Sequence, residues 1–160
     1  MKTLILYSTT YGYAEEIAIA LAERCSEATI QNIQKNKKVD LSAYDHVILG
    51  GSVYVGKIHK DLVAFAVSHE AELLHKKLGL FICCLFGDKY MEEMHANFSD
   101  ALIDHAYATE NFGGKLQTEK MSFVHKMIMK MVAKSERGKA PVKAYPERVD
   151  AFVAKCKNQV

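Results

Sequence analysis

The sequence predicts a doubly wound α/β fold, a five-stranded parallel sheet in the order 2-1-3-4-5 with helices on both faces. Short apolar runs recur along the chain, and residues at helical spacing fill the intervals between them. That alternation builds parallel βαβ units rather than hairpins. The clearest runs also end in loops of glycine, serine and threonine. Sheets of this kind bind ligands beyond the carboxyl ends of their strands.

Lys2 to Tyr7 (KTLILY) reads as a buried strand because it is almost continuously apolar and stops at Ser8-Thr9-Thr10. Ala14, Ile17, Ala18, Leu21, Ala22 and Cys25 then mark one face of a helix. A weaker strand is expected over Thr29 to Ile33, followed by a polar, lysine-rich stretch. His46 to Gly50 (HVILG) is the next clear strand, closed by Gly51-Ser52. Leu62, Phe65, Ala66, His69 and Leu73 predict one amphipathic helix, and Leu78 to Leu85 (LGLFICCL) the central strand. Met91, Met94, His95, Phe98, Leu102 and His105 predict a further helix, and Thr109 to Leu116 the last strand. Val149, Phe152, Val153 and Cys156 form the closing helix, which starts behind Pro146.

The chain of 160 residues is read as one domain, and its 49% apolar content is enough to bury a core of its own. A net charge of +2 is too small for a nucleic-acid footprint. The four cysteines show no CxxC spacing and no zinc-type pairing with histidine. Together with the lack of a signal peptide, they imply reduced thiols and a cytoplasmic location. Cys83 and Cys84 are adjacent, but in a strand they face opposite sides, so they read as small core residues. His69, His95 and His105 fall on helical faces at the edge of the core, without a metal-ligand cluster. No apolar run approaches the roughly 18 to 20 residues of a membrane span.

Three loops carry the candidate chemistry. Ser8-Thr9-Thr10-Tyr11-Gly12-Tyr13-Ala14 joins the first strand to a helix N-terminus, where free N–H groups and the helix dipole favour an anion. Neither GxxxxGK[ST] nor GxGxxG is present, which disfavours a nucleoside triphosphate or a dinucleotide; a terminal phosphomonoester fits better. An ordinary Ser/Thr helix cap is the competing reading. The second loop holds Gly50, Gly51, Ser52, Val53, Tyr54, Val55, Gly56, Lys57 and His59. Its glycines let backbone pass beside a flat ligand, Tyr54 offers a stacking face, and Lys57 offers a positive charge. His59 lies either in this site or at a helix start. The third loop, Leu85-Phe86-Gly87-Asp88-Lys89-Tyr90, offers Phe86 or Tyr90 for the opposite ring face. A phospho-acceptor receiver is disfavoured, because hydroxyls and glycines stand where its aspartates belong.

Ile5 to Ala18 and Val47 to Ser52, taken with these loops, resemble the flavodoxin family over nearly the whole chain. The resemblance implies a flavodoxin-like fold that holds FMN, its phosphate in the first loop and its ring between the second and third. Ala14 stands where that family usually has a phosphate-binding threonine, and the chain has no tryptophan for the usual stack, leaving Tyr54. Met1 to Thr9, Tyr54 to His59 and Met121 to Met131 are similar to the menaquinone-dependent protoporphyrinogen oxidases, although Tyr54-Val55 replaces their Arg-Tyr pair. That likeness implies oxidation of a porphyrinogen through FMN, with electrons passed to a quinone. The alternatives are a flavodoxin-type electron carrier and a module that has lost its flavin. Carriers of the family are strongly acidic, whereas this chain is slightly basic, which favours the enzyme.

Lys115 to Tyr145 is longer than a last strand-to-helix connection requires. Within it Met121, Val124, Met127, Ile128, Met131 and Val132 share a helical face, with Lys126 and Lys130 opposite. Residues 120–134 are therefore expected to pack on the core or to touch a membrane surface peripherally.

Overall fold

The structure, a computed structural model, describes residues 1–85, 87–115, 118–134 and 143–158; the side chains at 88, 118, 132 and 133 fall outside that description. Its sheet consists of β1 (Thr3–Ser8), β2 (Ala28–Asn32), β3 (His46–Ser52), β4 (Lys77–Cys83) and β5 (Ala108–Asn111). All pairings are parallel and the order is 2-1-3-4-5, as the alternation of apolar runs and helices predicts.

Alternation along β1 shows how the two layers form. Leu4 and Leu6 enter one core layer, while Ile5 and Tyr7 enter the other. The first layer packs under α2 (Lys60–Ser68), α3 (Glu70–Leu73), α4 (Tyr90–Asn97) and α5 (Asp100–His105). The second packs under α1 (Tyr13–Ala22) and α7 (Arg148–Lys157). Cys83 and Cys84 fall in opposite layers, both buried as free thiols. Burial pushes the Cys83 thiol pKa up, so it behaves as a core residue.

Three boundaries differ from expectation. The helix predicted over Leu62 to Leu73 breaks at His69, whose N–H and Ser68 Oγ both donate to Phe65 O at 3.0 and 3.1 Å. The helix predicted over Met91 to His105 breaks at Phe98, which is extended; Ser99 then caps α5 by accepting from Leu102 N–H at 3.3 Å. His95 and His105 consequently lie exposed rather than at the core edge, bonded to Asp100 and to Lys76 O. The last strand ends at Asn111 instead of continuing toward Leu116, a position outside the described residues. Asn111 Oδ1 accepts from Gly113 N–H at 2.9 Å and Cys84 N–H at 3.1 Å, and Gly113 turns the chain at φ 72°.

The long connection leaves and returns at one point. Gly113 and Ala144 form an antiparallel bridge, with Gly114 N–H donating to Lys143 O at 3.0 Å and Tyr145 N–H to Phe112 O at 2.8 Å. Within it lies α6 (Phe123–Ala133), started by Ser122 Oγ accepting from His125 N–H at 3.3 Å. Among the described residues no helix is long and apolar enough to cross a membrane.

Candidate functional site

The carboxyl ends of β1, β3 and β4 open into one cleft with a narrow interior, open to solvent on one side. Thr10, Tyr11 and Tyr13 line it from the first loop, Ser52, Val53 and Tyr54 from the second, and Cys83 and Leu85 from the end of β4. Gly114, Lys115, Met121 and Met129 complete the wall from the long connection.

The first loop turns at Gly12, which caps α1 at φ 101° with no side-chain hydrogen bond to the helix start. Thr9 braces this turn: its N–H donates to Gln34 Oε1 at 2.8 Å and its Oγ1 accepts from Gly12 N–H at 2.9 Å. Ser8 is 1% exposed and its Oγ has no partner among the described residues. An unpaired buried hydroxyl costs about 1 to 3 kcal/mol, so this group is poised for an acceptor or donor from outside the chain. Tyr13 and Ala14 open α1. Both side chains are buried in the α1/α7 layer, and Tyr13 Oη donates to Phe112 O at 2.9 Å. Only their backbone N–H groups remain with the loop, because α1 turns this face toward the sheet.

The second loop is a tight hairpin. Tyr54 and Lys57 exchange two backbone hydrogen bonds, 2.8 and 3.0 Å, around Val55 and Gly56 at φ 49° and 74°. Two positive φ values define a type I′ turn. Asn97 of α4 holds the hairpin in place: its Oδ1 accepts from Ile58 N–H at 2.8 Å and its Nδ2 donates to Gly56 O at 3.1 Å. Sequence reading missed Asn97; the only signal was a polar residue on the core-facing side of a helix. Val55 and Lys57 stand exposed at the hairpin, and neither lines the cleft. His59 takes the bland role of the two foreseen, capping α2 with its Nδ1 accepting from Asp61 N–H at 3.3 Å.

From the third loop only Leu85 lines the cleft. Phe86 and the Asp88 side chain lie outside the described residues. Gly87 backs onto the Asn111 side chain. Tyr90 packs against the α2/α4 core layer instead of facing Tyr54, since it opens α4.

The aromatic partner of Tyr54 comes from α6. His125 lies against Tyr54 with ring centroids 4.1 Å apart and meets Tyr11 edge-on, its Nδ1 hydrogen-bonded to Tyr11 Oη. Tyr54 Oη is buried and has no partner among the described residues. Lys115 reaches back over the Tyr13 ring and pairs with Glu16 of α1 at 2.5 Å. The connection thus roofs the cleft with two methionines and a histidine.

A doubly wound sheet with a hydroxyl-bearing first loop, a glycine-turned second loop and a cleft at the strand ends defines a flavin mononucleotide-binding class of protein. The chain belongs to the flavodoxin domain family, whose model matches residues 4–142; FMN is the cofactor that goes with this family. Among curated proteins the chain is similar to protoporphyrinogen IX dehydrogenase (quinone) of Escherichia coli K12, 36% identical over 77 residues. That match covers 46% of this chain and 42% of the relative, less than half the length of either. Flavodoxin 2 from Bacillus cereus superposes with a TM-score of 0.59 at 19% identity over 100% of both chains. A flavodoxin of Fusobacterium nucleatum bound to flavin mononucleotide superposes at 0.54 and 16%, over 99% of each. At such identities the superpositions establish the fold.

The residues present fit this cofactor. Thr10 and Tyr11 line the cleft, Tyr54 lines it with a buried Oη that has no partner among the described residues, and Gly12 leaves its surface open apart from one lysine nitrogen at the edge of contact.

Proposed function

We propose that the chain is an FMN-dependent oxidoreductase that takes electrons from a porphyrinogen-like substrate and passes them to a quinone. Ser8, Thr9, Thr10 and the N–H groups of Tyr11 to Ala14 would hold the phosphate. Ser52, Val53 and Tyr54, with Leu85, would border the ring, and Val55, Lys57 and Tyr90 drop out of that set. When bound, FMN supplies reversible acceptance of electron pairs; the chain's residues orient it and limit access to it.

The observation that carries this reading is the roof. A carrier exchanges electrons through an exposed flavin edge, whereas here Met121, Met129 and His125 cover the ring-side cleft. Adaptable methionine walls suit a large apolar substrate. The 36% identity to the quinone-linked dehydrogenase supports the same choice, as does a net charge of +2.

The test is an anaerobic assay of the FMN-loaded protein with protoporphyrinogen and a menaquinone analogue, followed by porphyrin fluorescence. Porphyrin should form only when quinone is present, each pair of electrons and protons leaving the substrate reducing one quinone to its quinol. Protein that bleaches with a flavodoxin reductase but never with porphyrinogen would be an electron carrier instead.

A further inference from the structure

The charges around the first loop pose a problem that the loop alone does not solve. A flavin phosphate carries a double negative charge, yet the first turn of α1 already holds Glu15 and Glu16. Glu15 accepts from Tyr7 Oη at 2.6 Å, which leaves its charge in place. Glu16 is matched by Lys115 at 2.5 Å. Ala14 supplies no hydroxyl, and the Gly12 N–H is spent on Thr9 Oγ1. The helix dipole and the loop hydroxyls remain, worth roughly a half charge and a few neutral hydrogen bonds, with no full positive charge from the loop itself.

Lys120 meets this deficit. It ends a short 3-10 turn, Thr118–Lys120, inside the long connection. Its Nζ lies 4.0 Å from where a Cβ on Gly12 would stand, directly over the turn that presents the α1 N-terminus. Its side chain is exposed and has no carboxylate partner among the described residues. Gly12 at φ 101° has no side chain of its own to intervene. Thr10 and Tyr11, on the approach to this turn, line the cleft itself.

We propose that Lys120, carried by the inserted connection, is the counter-charge for the ligand's phosphate ester and sets the preference for FMN over riboflavin. This rests on the flavin reading above. It assigns the connection a part in cofactor retention, besides its role as a roof.

Titration of flavin-free protein with FMN and with riboflavin, followed by quenching of flavin fluorescence, tests it. Lys120→Met should weaken FMN about tenfold or more, as loss of a charge-assisted hydrogen bond does, and leave riboflavin affinity unchanged. Lys120→Arg should keep most of the preference. Raising salt should erode the FMN preference of the wild type and barely touch that of Lys120→Met. An unchanged FMN-to-riboflavin ratio in Lys120→Met, with tight FMN binding, overturns the role of Lys120 alone. Wild type that binds neither flavin overturns the cofactor reading as well.

Discussion

Val55 is the residue at which local preference and observed conformation conflict most. It sits at φ 49° in the hairpin of the second loop, 63% exposed. A β-branched side chain at positive φ is strained, typically by about 1 to 3 kcal/mol. Asparagine suits the first position of a type I′ turn. Val55→Asn should therefore stabilise the protein by about 1 kcal/mol in urea unfolding, and a neutral or destabilising result would show that the backbone carries no strain. Sequence reading saw glycine-permitted freedom here through Gly56, but a valine at the turn's first position concealed the hairpin. Tyr54 was expected to offer a stacking face to a flat ligand; in the structure its ring lies against His125. Asn97, Lys115 and His125 were not recognised as partners of the loops, since their contacts join positions tens of residues apart. Ala14 was legible as a buried position of α1, from its spacing to Ile17, Ala18 and Leu21.

At the scale of elements, α6 departs from an ordinary surface helix. Met121 is buried, His125 is half-buried against Tyr54, and Met129 lines the cleft. Outward, Phe123, Val124, Met127 and Met131 are 51 to 76% exposed. Their sequence spacing makes one stripe, with Lys126, Lys130 and Lys134 on exposed positions of the same helix. An apolar stripe among lysines matches an anionic lipid surface, where a quinone would be met. Wild type should co-sediment with vesicles containing phosphatidylglycerol, and Val124→Glu/Met131→Glu should lose most of that binding while keeping its flavin and melting temperature. Equal sedimentation of both proteins would remove the membrane from the account. The period of this helix was readable in the sequence, but its two apolar sides were not, because a single helical projection does not say which side meets the cleft. Helix breaks at His69 and Phe98 were missed for a related reason: the apolar spacing continues across them, and the interruption lies in backbone and cap geometry.

For the molecule as a whole, β1, β3 and β4 were legible because buried parallel strands leave continuous apolar runs, whereas β2 and β5 carry no such run. The least legible part of the core is its polar content. His46, 1% exposed, lies in β3 far from the cleft and bonds Thr3 Oγ1 at 3.1 Å and Tyr107 Oη at 3.0 Å. Burial, aided by Lys77, lowers its pKa to about 4. An unfolded histidine titrates near 6.5, so between these values the unfolded chain binds the extra proton. The stability due to neutral His46 is complete above about pH 6.5 and falls away as pH drops toward 4. Between pH 7 and pH 4.5 the loss should be about 2 kcal/mol. Denaturant unfolding of wild type and His46→Gln at both pH values checks this: the variant starts less stable but should show a shallower decline, and parallel declines would exonerate His46.

The meeting of Gly113 with Ala144 has a consequence for how such a protein changes over time. Because the chain departs and returns within one hydrogen-bonded bridge, the segment between them is an appendix on a sheet already closed by Phe112 and Tyr145. Closing a loop whose ends already touch costs little more as it lengthens, since the entropy grows only with the logarithm of its length. Insertions and deletions there leave the register of all five strands untouched. A lineage is thus free to graft, trim or exchange a roof at this position, turning an open shuttle into a guarded reaction chamber or back again without rebuilding the platform beneath.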